Sequence, residues 1–310
     1  MPIIRTPDER FAHLPGYPFA PHYVTLNGVR LHYVEQGAGE VVLCLHGEPS
    51  WSYLYRKMLP ILGGQARAIA PDLVGFGRSD KFTEPEEYSF QMHRDLLVSL
   101  LDALELDAIT LVCQDWGGLL GLRIASELPD RFARLVIMNT GLPDGNGHLP
   151  HGFLTWQRFA QSHPDLPIGQ IIRNGVAHGD QLAPEVLAAY EAPFPDASYK
   201  VGASAFPGLV PTHPDQPGAA EMRRARAILA TWQKPTLVLF SDGDPITRGG
   251  DQFFRDLIPA AREQPAITIQ DAGHFLQEDQ GESIAEHIVA FIARTPLARP
   301  GGPGDSTATR

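Results

Sequence analysis

An apolar run, Ala108 to Val112, meets the pentapeptide Cys113-Gln114-Asp115-Trp116-Gly117, and a helical pattern follows from Leu119 to Leu128. A strand, a tight turn and a helix in so few residues constrain the fold strongly, because the middle residue of the turn is pushed out of the backbone. A nucleophile elbow has this build, usually with Ser at its centre. Here the centre is Asp115. A serine attacking a saturated carbon would end as an ether, which water does not readily cleave. An aspartate attacking the same carbon becomes an ester, whose own carbonyl an activated water can attack. Asp at the elbow therefore points to alkyl transfer followed by ester hydrolysis. The local pattern leaves a second reading open, an Asp that only caps the helix starting at Trp116.

The rest of the chain supports an α/β fold. Tyr23 to Leu26 and Val29 to Tyr33 flank Asn27-Gly28, the favoured two-residue hairpin turn. Val41 to Leu45, Arg67 to Pro71 and Leu135 to Met138 read as short buried strands. Met92, Leu96, Leu97, Leu100, Leu101 and Leu104 recur at helical spacing. Such alternation predicts a mostly parallel sheet flanked by helices. From Gly141 to about Ala227 the strand pattern stops, and short amphipathic stretches such as Phe153 to Ala160 and Ile168 to Val176 take over. It resumes with Pro235 to Phe240, Ala266 to Ile269 and a helix from Glu282 to Ile292. The expected organisation is a core from 1–140 and 228–298, a helical cap inserted at 141–227, and a disordered Pro/Gly/Ser/Thr-rich tail at 299–310.

With 310 residues, 43% hydrophobic and 20% charged, the chain can bury one large core. A net charge of −11 and the lack of any Lys/Arg cluster argue against nucleic acid as a partner. Cys44 and Cys113 lie in apolar runs and read as buried thiols, so no disulfide framework is implied. The N-terminal stretch, with Arg5, Asp8, Glu9 and Arg10, has no long apolar segment. No signal peptide, membrane span or membrane partner is expected, and a cytoplasmic monomer is the default.

Two later segments complete a reaction centre. Ser241-Asp242-Gly243-Asp244-Pro245 follows one strand, and Asp271-Ala272-Gly273-His274-Phe275 follows the last. Open α/β sheets place their sites at such strand ends. The order nucleophile, acid, histidine is that of α/β-hydrolases. His274 would activate water as general base, and an acid would hold its tautomer. Asp244, deeper in its loop, is preferred to Asp242, which could simply shape the turn. His46-Gly47-Glu48-Pro49 follows the strand Val41 to Leu45, and the Glu48 and Trp116 amides would form an oxyanion hole.

With these residues in place, the chain from about Arg5 to Ile292 resembles the haloalkane dehalogenases of the α/β-hydrolase superfamily. The strongest segments are Arg5 to Phe11, His46-Gly47-Glu48-Pro49-Ser50-Trp51 through Arg56, Asp72-Leu73-Val74-Gly75-Phe76-Gly77-Arg78-Ser79-Asp80, and Gln114 to Gly118. Glu after His-Gly is similar to the subfamily in which two tryptophans hold the halide. The other main subfamily takes its acid from a position that is Asn139 here, an amide, which favours Asp244. The resemblance implies Trp116 and Trp156 as halide donors, since an indole N–H donates from an apolar body. It also implies Phe206 and Pro207 as pocket lining. Trp51 reads as packing, and Trp232 lies outside the insertion. The implied reaction takes a haloalkane and water to alcohol and halide, with no metal or organic cofactor.

The nearest rival is an epoxide hydrolase, which shares the Asp/His pair but needs cap tyrosines, here Tyr190 and Tyr199. A haloacetate dehalogenase would carry Arg where Trp116 stands. An esterase would need Ser at the elbow. A non-catalytic binding protein of the same fold would typically have lost one of the three reactive residues.

Overall fold

The computed structural model describes residues 3–297, so the expected tail at 299–310 lies outside the described residues. Eight strands form the main sheet: β1 (His22–Leu26), β2 (Val29–Gln36), β3 (Val41–Leu45), β4 (Arg67–Pro71), β5 (Ile109–Gln114), β6 (Phe132–Met138), β7 (Thr236–Ser241) and β8 (Ile267–Ile269). Their spatial order is β8-β7-β6-β5-β3-β4-β2-β1. Pairing is parallel from β8 through β4 and antiparallel where β2 joins β4 and β1. The β1–β2 hairpin turns on Asn27 and Gly28, both at positive φ.

The central strands are buried on both faces, as their unbroken apolar runs require. Period-two alternation divides them between two layers. Val112, Val136, Leu237 and Ile269 pack toward Ile284, Ile288 and Phe291 of the last helix, α10 in chain order (Leu276–Arg294). Leu111, Leu135, Ile137 and Val238 face the other way, toward α2 (Phe90–Ala103) and α3 (Trp116–Glu127). Each fully buried Leu, Ile or Phe contributes about 1.5–3 kcal/mol.

Between β6 and β7 the chain runs through α4 (His151–Ser162), α5 (Ile168–Gly175), α6 (Pro184–Glu191), α7 (Val201–Leu209) and α8 (Ala219–Leu229). The expected cap boundary at 227/228 falls inside α8, and this helix packs on the core helix α3. We therefore draw the insertion as ending before Ala219. Helix α8 is amphipathic like the cap helices, so its apolar stripe alone does not say which body it covers.

The topology decides where a site can form. From β3 the chain moves outward to β4, then crosses back to β5 on the other side of β3. That reversal opens a crevice beyond the carboxyl ends of β3 and β5. Leu45 pairs with Cys113, and Gln114 with Met138. Glu48, Asp115 and Asn139 thus emerge side by side at one edge, and the loops after β7 and β8 deliver Asp244 and His274 to the same edge. Among the described residues, no helix is long and apolar enough to cross a membrane.

Candidate active site

Asp115 sits at φ 49° and ψ −123°, a conformation an L-residue adopts at a cost. Its surroundings hold it there. The Asp115 N–H donates to the Asn139 carbonyl at 3.0 Å, and its own carbonyl accepts from the Gly118 N–H at 2.9 Å and the Thr140 hydroxyl at 2.6 Å. Backbone segments come so close that side chains are excluded. A Cβ on Gly117 would stand 2.1 Å from the Leu45 carbonyl oxygen, and one on Gly47 would stand 2.2 Å from Asp115 Oδ1. The Asp115 side chain makes no capping bond to α3. Instead Oδ1 accepts the Glu48 N–H at 2.8 Å, and Oδ2 faces His274 Nε2 at 3.6 Å. The helix-cap reading of this residue is therefore set aside.

His274 is buried, with Nδ1 3.0 Å from Asp244 Oδ2. Asp244 is itself anchored by the Ile246 N–H at 2.7 Å and by the hydroxyl and N–H of Thr247. Burial disfavours the imidazolium, but Asp244 and Asp115 outweigh it and raise His274 to about 10. Burial likewise works against the Asp244 carboxylate, and His274 with the Thr247 and Ile246 donors holds it below its ordinary value. Asp242, the alternative acid, is exposed and accepts the Asp271 and Ala272 N–H groups at 3.3 Å, which braces the histidine loop.

A cavity of about 1000 Å³ opens between cap and core over Asp115 and His274, with Phe159, Ile171, Val176 and Phe275 in its wall. A smaller compartment of about 230 Å³ adjoins it, lined by Asp115, Trp116, Phe153 and Pro207. Trp156 and Glu48 line both. The Glu48 carboxyl is buried, and its Oε1 has no hydrogen-bond partner. Burial first and Asp115 second push this carboxyl well above its ordinary value.

The alpha/beta hydrolase fold family matches residues 40–280. A haloalkane dehalogenase of Psychrobacter cryohalolentis is 50% identical over 304 residues, covering 96% of this chain and all of the relative. Another, from Mycobacterium marinum, is 45% identical over 299 residues, covering 94% and 100%. Among solved structures, the haloalkane dehalogenase DpaA from Paraglaciecola agarilytica NO2, described as tetrameric, superposes with a TM-score of 0.87 at 38% identity, covering 94% of this chain and 98% of that one. The chain belongs to the haloalkane dehalogenases.

Seen as a haloalkane dehalogenase site, the pocket brings together most of the residues expected from sequence. Trp116 is buried at the head of α3 and Trp156 half-buried on α4. Trp51 spends its indole N–H on the Ala189 carbonyl at 3.2 Å, and Trp232 lines neither compartment. Phe206 requires correction. It lines neither compartment but packs behind Trp116, ring centroids 4.5 Å apart, with Phe76 and His93 on its other sides. Adjacent helix positions point about 100° apart, so only Pro207 faces the pocket. Tyr190 and Tyr199 line neither compartment. The Tyr190 hydroxyl donates to Glu278 Oε2 at 2.6 Å, in a buried cluster where Arg56 grips the same carboxylate with two bonds.

Sequence reading gives no structural role to two polar residues near the reaction centre, Gln114 and Asn139, and marks the latter only as an amide at the other subfamily's acid position. Gln114 places its amide nitrogen 3.1 Å from His274 Nε2 and donates to the His274 carbonyl at 3.3 Å. The Asn139 amide donates to the Gly273 and His274 carbonyls at 2.9 and 3.1 Å, and its oxygen accepts the Ser241 N–H at 3.0 Å. Both hold the histidine loop against the sheet edge. A polar residue closing an otherwise apolar strand was the available signal.

Proposed function

We propose that the chain hydrolyses the carbon–halogen bond of haloalkanes, with Asp115 as nucleophile and His274, held by Asp244, as general base. The observation that carries this reading is the Asp115 carboxylate itself. One oxygen is held by the Glu48 N–H, and the other faces His274 and the cavity. Asp115 Oδ2 attacks the halogen-bearing carbon from behind, the carbon–oxygen bond forms, and halide leaves with the bonding electrons. Trp116 and Trp156 supply indole N–H donors where that charge develops.

Esterification changes His274. The free carboxylate of Asp115 helps to keep the imidazole protonated in the resting site. Once Asp115 is an ester, that charge is gone and the His274 pKa falls, leaving the base competent when water must be activated. The neutral imidazole takes a proton from water, the hydroxide oxygen adds to the ester carbonyl, and the oxyanion takes the Glu48 and Trp116 amides. Collapse expels the alkoxide, which takes the hydroxyl proton left on the new Asp115 carboxyl and leaves the carboxylate. The proton that His274 sheds to solvent before water attacks is the one proton released per turnover. Water attacks the carbonyl carbon, so one turnover in 18O-water labels Asp115 and not the alcohol.

The test is halide release from 1,2-dibromoethane and 1-bromobutane, with Asp115→Ala as control. Release by the parent and none by the variant is expected. Hydrolysis of styrene oxide without halide release would overturn the reading.

A further inference from the structure

The two compartments that meet at Asp115 differ in charge. The larger reaches the surface past exposed Asp242 and Asp271, with exposed His151 and His178 also in its lining, and no Lys or Arg stands among the described residues lining it. The smaller contains Trp116 and runs to exposed His148 and Arg248, with half-buried Arg226 in its wall. Asp and Glu are absent from its described lining except for Glu48 and Asp115 at the inner end. Arg226 is partly neutralised by Asp144 at 3.2 Å. Helix α9 (Gly250–Leu257) begins at this compartment, with Gly249 and Gly250 in the lining. The positive end of its dipole faces this compartment, offset in part by Asp251 in the first turn of the helix.

We infer that halide leaves through the smaller compartment, past Arg226 and Arg248, while the neutral haloalkane enters through the larger one. The inference rests on the function proposed above. Halide forms at the junction of the two compartments. Toward the larger mouth it meets two carboxylates and two histidines, and toward the smaller it meets two guanidiniums, one of them paired with Asp144, and a helix N-terminus that carries Asp251. A neutral substrate feels neither field and is admitted by volume and apolar wall. The separation also spares the entrance from anion traffic when product release limits turnover.

Bromide quenching of indole fluorescence, followed by stopped flow at fixed ionic strength, tests this route. Trp51 and Trp232 are buried and line neither compartment, so saturable quenching reads Trp116 and Trp156. Arg248→Glu is expected to slow bromide association and dissociation together, by roughly threefold or more. The bromide Kd and the alkylation rate with 1-bromobutane stay unchanged, because Arg248 touches neither the bound ion nor the substrate path. Asp271→Asn, at the other mouth, leaves bromide rates unaltered. Both side chains are exposed, so unfolding transitions should match the parent. Unaltered bromide rates in Arg248→Glu would overturn the route, and faster rates in Asp271→Asn would assign halide to the larger mouth instead. No saturable quenching in the parent would overturn the halide site itself along with the route.

Discussion

Among the described residues two histidine–aspartate pairs are buried, and one of them faces the cavity. His32 Nδ1 lies 2.7 Å from Asp72 Oδ2, both side chains wholly buried. His274 Nδ1 lies 3.0 Å from Asp244 Oδ2, nearly as deep. Asp72 is further saturated by the Ser52 and Arg78 N–H groups at 2.8 Å each, which pin two loops. Burial alone would raise the Asp72 carboxyl, but His32 and these donors hold it well below the carboxylate range. The contrast lies at the far nitrogen. His32 Nε2 is buried with no partner. His274 Nε2 faces Asp115 at the rim of a large cavity. Pairing orients an imidazole in both places. Catalysis requires that the oriented ring also has somewhere to send its proton.

The sharpest way to break that comparison is His274→Phe. Alkylation needs only Asp115 and the halide donors, so the variant should release one halide per active site and then stop. Steady-state turnover falls by about 10⁴-fold, the upper end of what a positioned base contributes. Mass spectrometry should find Asp115 carrying the alkyl group. Continued turnover, or no burst, would remove His274 from the second step.

Asp244→Asn should come next, lowering turnover by about 10²–10³-fold, because the amide no longer stabilises the imidazolium. The linkage has a definite sign. The folded His274 value, about 10, lies above the unfolded one. Its stabilisation is complete below about pH 6.5 and is lost as pH rises through about 10. In Asp244→Asn the folded value drops, so the loss is smaller and is complete at lower pH. NMR titration of the His274 ring and urea midpoints from pH 6 to 10 measure both. An unshifted ring titration would mean that Asp244 does not govern His274.

His32→Asn sharpens the comparison from the other side. It leaves Asp72 buried without its partner, which costs about 3 kcal/mol in urea unfolding. Turnover per active site, counted by the halide burst, should change by less than about twofold. A large fall in turnover with unchanged stability would erase the distinction between the pairs.

The elbow and the histidine loop were legible in sequence because each couples a strand end to a short signature, and the strand pattern fixes where those ends meet. His274 stood out among twelve histidines by its place after the last strand. Trp116 was legible because adjacency in the chain put it at the site whatever the fold. Phe206 and Tyr190 were not. A helical stripe reports that a residue is buried, not against what, and the cap helices turn one face to the pocket and another to α6, α7 or the core. Gln114 and Asn139 escaped for a different reason. Their partners lie more than a hundred residues away, so nothing local marks them as more than strand ends.

The smallest effect is expected at Glu48, where a third buried carboxyl adjoins Asp115. Burial first and the neighbouring carboxylate second raise it well above the ordinary carboxyl value, against His274 and a Trp156 hydrogen bond, which lower it. Glu and Gln are close in shape, and the backbone N–H on Asp115 Oδ1 is untouched, so Glu48→Gln should alter turnover at pH 7 by no more than about threefold. The difference should emerge with rising pH. A carboxyl whose folded value lies above its unfolded one stabilises only below the unfolded value, and above it the parent bears the cost of holding or shedding the proton. Gln removes that cost, so the variant should unfold at higher temperature than the parent at pH 9, with the gap narrowing toward pH 4. The alkaline fall in parent turnover caused by a second negative charge beside Asp115 should also shift or vanish. If Glu48→Gln instead destabilises the chain at every pH, then the fold favours the carboxylate, and Glu48 joins Asp72 and Asp244 as a third carboxyl held below its ordinary value.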